Sequence, residues 1–133
     1  MDEITVHVEA EINPTESEDK VKQAIQKVFG NIPTQTKPLR KGNLLIGEAE
    51  GKDALTNFHD LLRREHIRSA ARPVLFDGIE KKTINFCLNK QVAYVGHISF
   101  SKEVAESPLG PIKVKITCED PRKLVEWLAP RIA

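Results

Sequence analysis

From Ile4 to Ile12 the chain alternates. Ile4, Val6, Val8, Ala10 and Ile12 interleave with Thr5, His7, Glu9 and Glu11. A period of two puts one set on a buried face and the other in water, which predicts a strand. Asn13-Pro14 ends it. Thr15 and Glu18 have the spacing of a capping box. Val21, Ile25, Val28 and Phe29 then repeat at helical spacing, and Gly30 stands where the helix should stop. Residues 32 to 50 read as two short strands around Arg40-Lys41-Gly42-Asn43, with Leu44 and Ile46 on one face of the second. Gly47 and Gly51 read as turn residues bracketing a strand end. Asp53 is the expected N-cap of the next helix.

The pattern between 54 and 76 is the most specific. At roughly 100° per residue, Leu55, Phe58 and Leu62 share one face, whereas Ile67, Ala70, Ala71 and Val74 share another about 140° away. One straight helix cannot bury both, so two helices with a break near Glu65 are expected. Asp77-Gly78 is a turn. Ile84, Phe86 and Leu88 alternate with Thr83, Asn85 and Cys87, and Val92, Tyr94, Ile98 and Phe100 carry the alternation on. A hairpin with Asn89-Lys90-Gln91 at its tip is expected there, then a loop over 101 to 111. Ile112, Val114, Ile116 and Cys118 form a sixth strand. Asp120-Pro121 opens a last helix buried through Leu124, Val125 and Leu128, and Pro130 ends it. The order β-α-β-β-α-α-β-β-β-α predicts a single α+β domain. It is a two-layer sandwich whose mixed or mostly antiparallel sheet has helices on one face and water on the other.

At 133 residues, with 40% hydrophobic and 29% charged side chains, the chain has the makeup of a soluble globular domain. No apolar run approaches a membrane span, and the acidic start Met1-Asp2-Glu3 is unlike a signal peptide. Cys87 and Cys118 lie in strands without CxxC spacing, which fits free thiols in a reducing cytoplasm. P-loop, GxSxG and GxGxxG motifs are absent, and His7, His59, His66 and His97 lack metal-ligand spacing. The expectation is a non-enzyme that needs no cofactor or metal. Glu9 and Glu11, on the wet face of a strand, suit pairing with lysines of a neighbouring strand.

Charge is where the chain departs from the ordinary. The net charge is only +1, yet Arg63, Arg64, Arg68 and Arg72 fall within ten residues, each pointing away from its helix's apolar face. This is either a solvated helix face or a phosphate-contacting patch, since the guanidinium fork gives two hydrogen bonds at once. Lys90, Lys113 and Lys115 are weaker candidates. Phe86, Tyr94 and Phe100 fall in the buried phase of their strands, and Trp127 lies beside the stripe of the last helix. That leaves no visible platform for stacking single-stranded bases. Structured or double-stranded RNA, read by shape and backbone, is therefore the expected nucleic-acid partner. The competing reading is a protein-interaction module or homodimer. It rests on Ala93 and Val95, which would be apolar residues on an otherwise polar sheet face.

Six segments carry a resemblance. They are Ala10-Glu11-Ile12-Asn13-Pro14-Thr15-Glu16, Leu61-Leu62-Arg63-Arg64-Glu65 with Ala70-Ala71-Arg72, Leu88-Asn89-Lys90-Gln91, Leu109-Gly110-Pro111-Ile112 and Trp127-Leu128-Ala129-Pro130. Together they resemble archaeal uncharacterised protein family 0201, grouped with predicted RNA-binding proteins. The resemblance implies a cytosolic protein with a two-layer α+β fold like that of the ribosomal protein that holds 5S ribosomal RNA. It supplies no catalytic residue.

Overall fold

A computed structural model describes residues 3–101 and 110–131. Among the described residues seven strands form one sheet, β1 (Thr5–Ile12), β2 (Thr34–Pro38), β3 (Asn43–Glu50), β4 (Ile79–Glu80), β5 (Thr83–Asn89), β6 (Phe100–Ser101) and β7 (Pro111–Thr117). The helices are α1 (Glu18–Phe29), α2 (Thr56–Arg64), α3 (Arg68–Asp77), α4 (Lys90–Tyr94) and α5 (Pro121–Leu128), with a 3-10 turn at Lys52–Leu55 before α2. The strand order is β2-β3-β1-β7-β5-β4, with β6 also on β5, and every pairing is antiparallel. The expected α+β architecture is what the molecule adopts.

The alternation of β1 continues across the sheet. Val8 pairs with Val114, which pairs with Phe86, and all three are buried. Onto that face pack Val21, Ile25 and Val28 of α1, Phe58 and Leu62 of α2, Leu75 of α3 and Leu124 and Leu128 of α5, in one core. Phe29, Phe58, Phe86 and Phe100 run through it as a chain of ring contacts, with centroids 5.5, 5.4 and 5.8 Å apart. Such contacts add to area burial because ring edges are positive and faces negative.

The break between α2 and α3 falls where the two apolar faces demand it. His66 N–H donates to the Arg63 carbonyl and Ile67 N–H to the Leu62 carbonyl, both at 3.2 Å, which together make a Schellman closure. The residue in the left-handed position, usually glycine, is His66 at φ 57°.

Local details differ from the sequence reading for identifiable reasons. The N-cap of α1 is Ser17, not Thr15, and it makes no side-chain cap bond. The reciprocal pair lies one turn earlier, where Glu16 accepts from Asn13 N–H at 3.0 Å while Glu16 N–H donates to the Asn13 carbonyl. Asp53 sits inside the 3-10 turn, not at a helix N-cap. Leu44 and Ile46 share a face as expected, but it is the open one, because Leu45 pairs with core residue Ala10. Gly47 is mid-strand rather than a turn residue. A Cβ there would lie 2.8 Å from Ile32 Cδ1, so glycine lets Ile32 lie on the sheet.

The largest correction concerns the hairpin. Residues 90–94 form helix α4 rather than the first half of a strand, and only Phe100 and Ser101 return to pair with β5. Asn89 caps α4 by accepting from Val92 N–H at 3.0 Å. The expected loop over 101 to 111 lies largely outside the described residues.

Candidate nucleic-acid interface

Arg63 and Arg64 occupy the last turn of α2, exposed, where cations suit the negative end of the helix dipole. Arg68 opens α3. The first turn of α3 has no acidic residue and no side-chain cap, so its free amides add to the positive potential beside Arg68. Arg68 is half-buried, and its Nε is enclosed without a hydrogen-bond partner. None of Arg63, Arg64 and Arg68 makes an ion pair or side-chain hydrogen bond among the described residues.

Arg72 differs from its three neighbours. Its guanidinium forks onto Glu126 of α5, at 2.8 Å and 2.5 Å, and also donates to the Ala129 carbonyl at 3.1 Å. It lies over the Phe76 ring, 4.9 Å from the centroid. The hydrogen bond to Arg72 holds the Glu126 carboxyl below its ordinary pKa. Arg72 thus ties α3 to α5, and its fork is occupied.

The lysines separate further. Lys90, expected at a solvent-facing tip, is only 3% exposed. Its ammonium donates to the Glu11 carbonyl at 2.7 Å and to both Glu16 carboxylate oxygens, at 2.9 and 3.3 Å. Burial pushes the Glu16 carboxyl up. Hydrogen bonds from the Asn13 backbone and side chain and from Lys90, together with the Lys90 charge, overcome that and hold it below its ordinary 4.5. Lys90 therefore clamps the β1–α1 turn to the start of α4, and its charge does not reach the surface. That corrects its candidacy as a surface contact.

Lys113 and Lys115 are exposed on the open face of the sheet, away from the helices. Lys113 stands opposite Glu9, the cross-strand placement of opposite charges that Glu9 suggested, whereas Lys115 stands opposite His7. The ring of His7 has its nitrogens 3.0 Å from Glu9 and 3.4 Å from Glu48. The arginines and these two lysines thus lie on opposite sides of the molecule. Ala93 and Val95 are not on the sheet face either. Ala93 is buried within α4 and Val95 follows it, 61% exposed, so the polar face has no apolar patch from them.

A shallow concavity of about 1060 Å³ spans the open face, lined among others by His7, Glu9, Asn85, Cys87, Lys113 and Lys115. Cys87 and His7 stand two strands apart, about 10 Å, too far for a thiol–imidazole hydrogen bond. Burial pushes the Cys118 thiol above its ordinary pKa. No group of three or more His, Cys, Asp or Glu among the described residues is arranged to hold a metal ion. No helix among them is long and apolar enough to cross a membrane. Trp127 is half-exposed, but His59 stacks on it at 4.3 Å and the Lys52 ammonium lies 4.4 Å from its ring centre.

The fold defines a class: a two-layer α+β protein with an open antiparallel sheet and its helices on one face. The particular family follows from comparison with known proteins. Residues 5–118 match a family described as RNA binding. The chain is 42% identical to a UPF0201 protein of Sulfurisphaera tokodaii over 126 residues, covering 95% of this chain and 87% of that one. It is 43% identical to a UPF0201 protein of Sulfolobus acidocaldarius over 128 residues, 96% and 88% of the two chains. The crystal structure of a UPF0201 protein from Methanococcus jannaschii superposes with a TM-score of 0.85 at 32% identity, over 95% of this chain and 99% of that one. The chain belongs to the UPF0201 family.

Proposed function

We propose that this protein binds structured or double-stranded RNA through its phosphate backbone, without catalysing a reaction. Arg63, Arg64 and Arg68 are the principal contacts. The observation that carries this reading is the missing compensation. These three cations crowd one corner with no carboxylate paired to them, and the amide end of α3 adds to their field. Phosphate oxygens suit such a site, because they accept from both guanidinium nitrogens and from helix amides. The family's description as RNA binding supports the same partner. Arg72 contributes by holding α3 in place. Lys113 and Lys115 lie on the other side of the sheet and serve a second contact only if RNA wraps the edge.

The test is a titration against a duplex and a hairpin RNA at several salt concentrations. The wild type is compared with Arg63→Ala/Arg64→Ala/Arg68→Ala. Each phosphate contact contributes about 0.9 to the slope of log affinity against log salt on a duplex. The triple variant should flatten that slope and weaken binding at low salt. Undetectable binding by the wild type at low salt, or an unchanged slope in the variant, overturns the proposal.

A further inference from the structure

The charge distribution holds a second feature, which the arginine corner does not absorb. From residue 20 to residue 47 the chain carries Lys20, Lys22, Lys27, Lys37, Arg40 and Lys41 and not one Asp or Glu. Three of these cations gather on the β2–β3 hairpin. Residues 37 to 41, Lys37-Pro38-Leu39-Arg40-Lys41, are all exposed, and Leu39 at the tip is 40% exposed. None of Lys37, Arg40 and Lys41 makes an ion pair or side-chain hydrogen bond among the described residues.

Protection of a sheet edge accounts for part of this. β2 is the terminal strand, and a lysine and a proline on it discourage pairing with another chain. Arg40 and Lys41 lie beyond the strand, in the turn, where no edge needs protecting. That turn is tied to its surroundings through the backbone. Leu39 N–H donates to the Gly42 carbonyl at 3.1 Å, and Gly42 has φ +79°. A Cβ on Gly42 would lie 2.1 Å from the Ile12 carbonyl oxygen, so the tip is pressed against the end of β1. A pinned turn leaves the two side chains, and not the backbone, to be ordered on binding.

The position fits the arginine corner. The hairpin tip lies at the end of the sheet where β1 finishes and where β5 leads into α4. His97, just after α4, reaches the α2–α3 corner through a 2.7 Å contact with Glu65. Both basic elements therefore face the same end of the molecule, the hairpin beside β1 and the corner towards β5.

We infer that the β2–β3 hairpin is a second RNA contact, with Arg40 and Lys41 on phosphates of the same duplex that the arginine corner holds and Leu39 against its groove. The inference rests on the RNA-binding reading proposed above. Two basic elements at one end of a fold suit a double-stranded partner, whose phosphates are fixed in space and read by shape. One exposed leucine is too little apolar surface for an amphipathic membrane anchor.

The experiment sets Arg40→Ala/Lys41→Ala beside Arg63→Ala/Arg64→Ala and the wild type, with duplex RNA and with vesicles of anionic lipid. The substituted side chains are exposed, and circular dichroism checks that folding is unchanged. If both hairpin cations contact phosphates, the salt slope drops by about 1.8, so the affinity change between about 50 and 200 mM salt shrinks by about tenfold. Leu39→Ser should weaken binding without changing the slope. Wild-type RNA binding that the hairpin variant leaves intact overturns this inference and spares the proposed function. No RNA binding by the wild type overturns both. Vesicle binding lost in the hairpin variant, without RNA binding, assigns the hairpin to a membrane and also overturns the inference.

Discussion

The α2–α3 corner and the junction of the β1–α1 turn with α4 each contain basic side chains within family-like motifs, and the fold treats them in opposite ways. At the corner, Arg63 and Arg64 are exposed and pair with no carboxylate among the described residues. At the junction, Lys90 is enclosed, with hydrogen bonds to one carbonyl and both oxygens of a carboxylate. A buried ammonium is tolerable only when each donor has a partner, whereas a surface guanidinium is solvated and available. Arg72 lies between the two cases: it belongs to the corner by sequence and to the α3–α5 contact by structure. Charge density along a chain therefore says little about charge availability. What decides it is whether packing brings a carboxylate within reach.

The sharpest way to break this contrast is to remove the buried cation. Lys90→Met should destabilise the protein by about 3 kcal/mol, because it strands the Glu16 carboxylate. Lys90→Met/Glu16→Gln should recover much of the loss in denaturant unfolding. A Lys90→Met loss no larger than that of a surface arginine would show that the junction is not a clamp. The same pair sets a pH dependence. Because the native pKa of Glu16 is lowered, its stabilising contribution is complete above the unfolded value near 4.5 and is lost as pH falls through the native one. Wild-type stability should thus fall more steeply below that pH than that of Glu16→Gln, and parallel curves would count against the pairing.

Smaller effects belong to the corner. His66→Gly should stabilise by about 1 kcal/mol, since glycine enters the left-handed region without the Cβ penalty. A drop in melting temperature would mean that the imidazole does more than end the helix. Arg72→Ala should lower the melting temperature by a few degrees, through loss of the Glu126 fork and the Ala129 contact. Arg63→Ala and Arg64→Ala should change stability least, within about 0.5 kcal/mol, while having the larger effect on RNA affinity. If either costs as much stability as Arg72→Ala, that arginine is structural and the corner loses a contact.

Much of the fold is legible in the sequence because it rests on short-range periodicity. β1, β5 and β7 alternate over seven or eight residues, and the buried phase is the apolar one in each. The break between α2 and α3 follows from two apolar faces that no straight helix can bury together. β3 was ambiguous because Leu44, Leu45 and Ile46 are all apolar, so only pairing with β1 fixes which of them point inward. α4 was missed because five residues are too few to separate a helical turn from an alternating strand. The signal that could have found it is Asn89 as an N-cap. Arg40 and Lys41 read as turn residues, so the local pattern does not mark the hairpin as a basic element. The run from 20 to 47 without an acidic side chain is the cue that would have marked it.

The sequence by itself determined the alternation, the helix faces and the places where they must break, because those properties belong to neighbours a few positions apart. It also placed four arginines together on two adjoining helices. The tertiary structure alone decided which cations are available. The partners of Arg72 and Lys90 lie 54 and 74 positions away, so packing had to bring them into contact. The same packing left Arg63, Arg64 and Arg68 at the corner, and Arg40 and Lys41 at the hairpin tip, without an ion pair among the described residues. Coulomb attraction falls with distance in space and is indifferent to distance along the chain, so local pattern could not foresee either result.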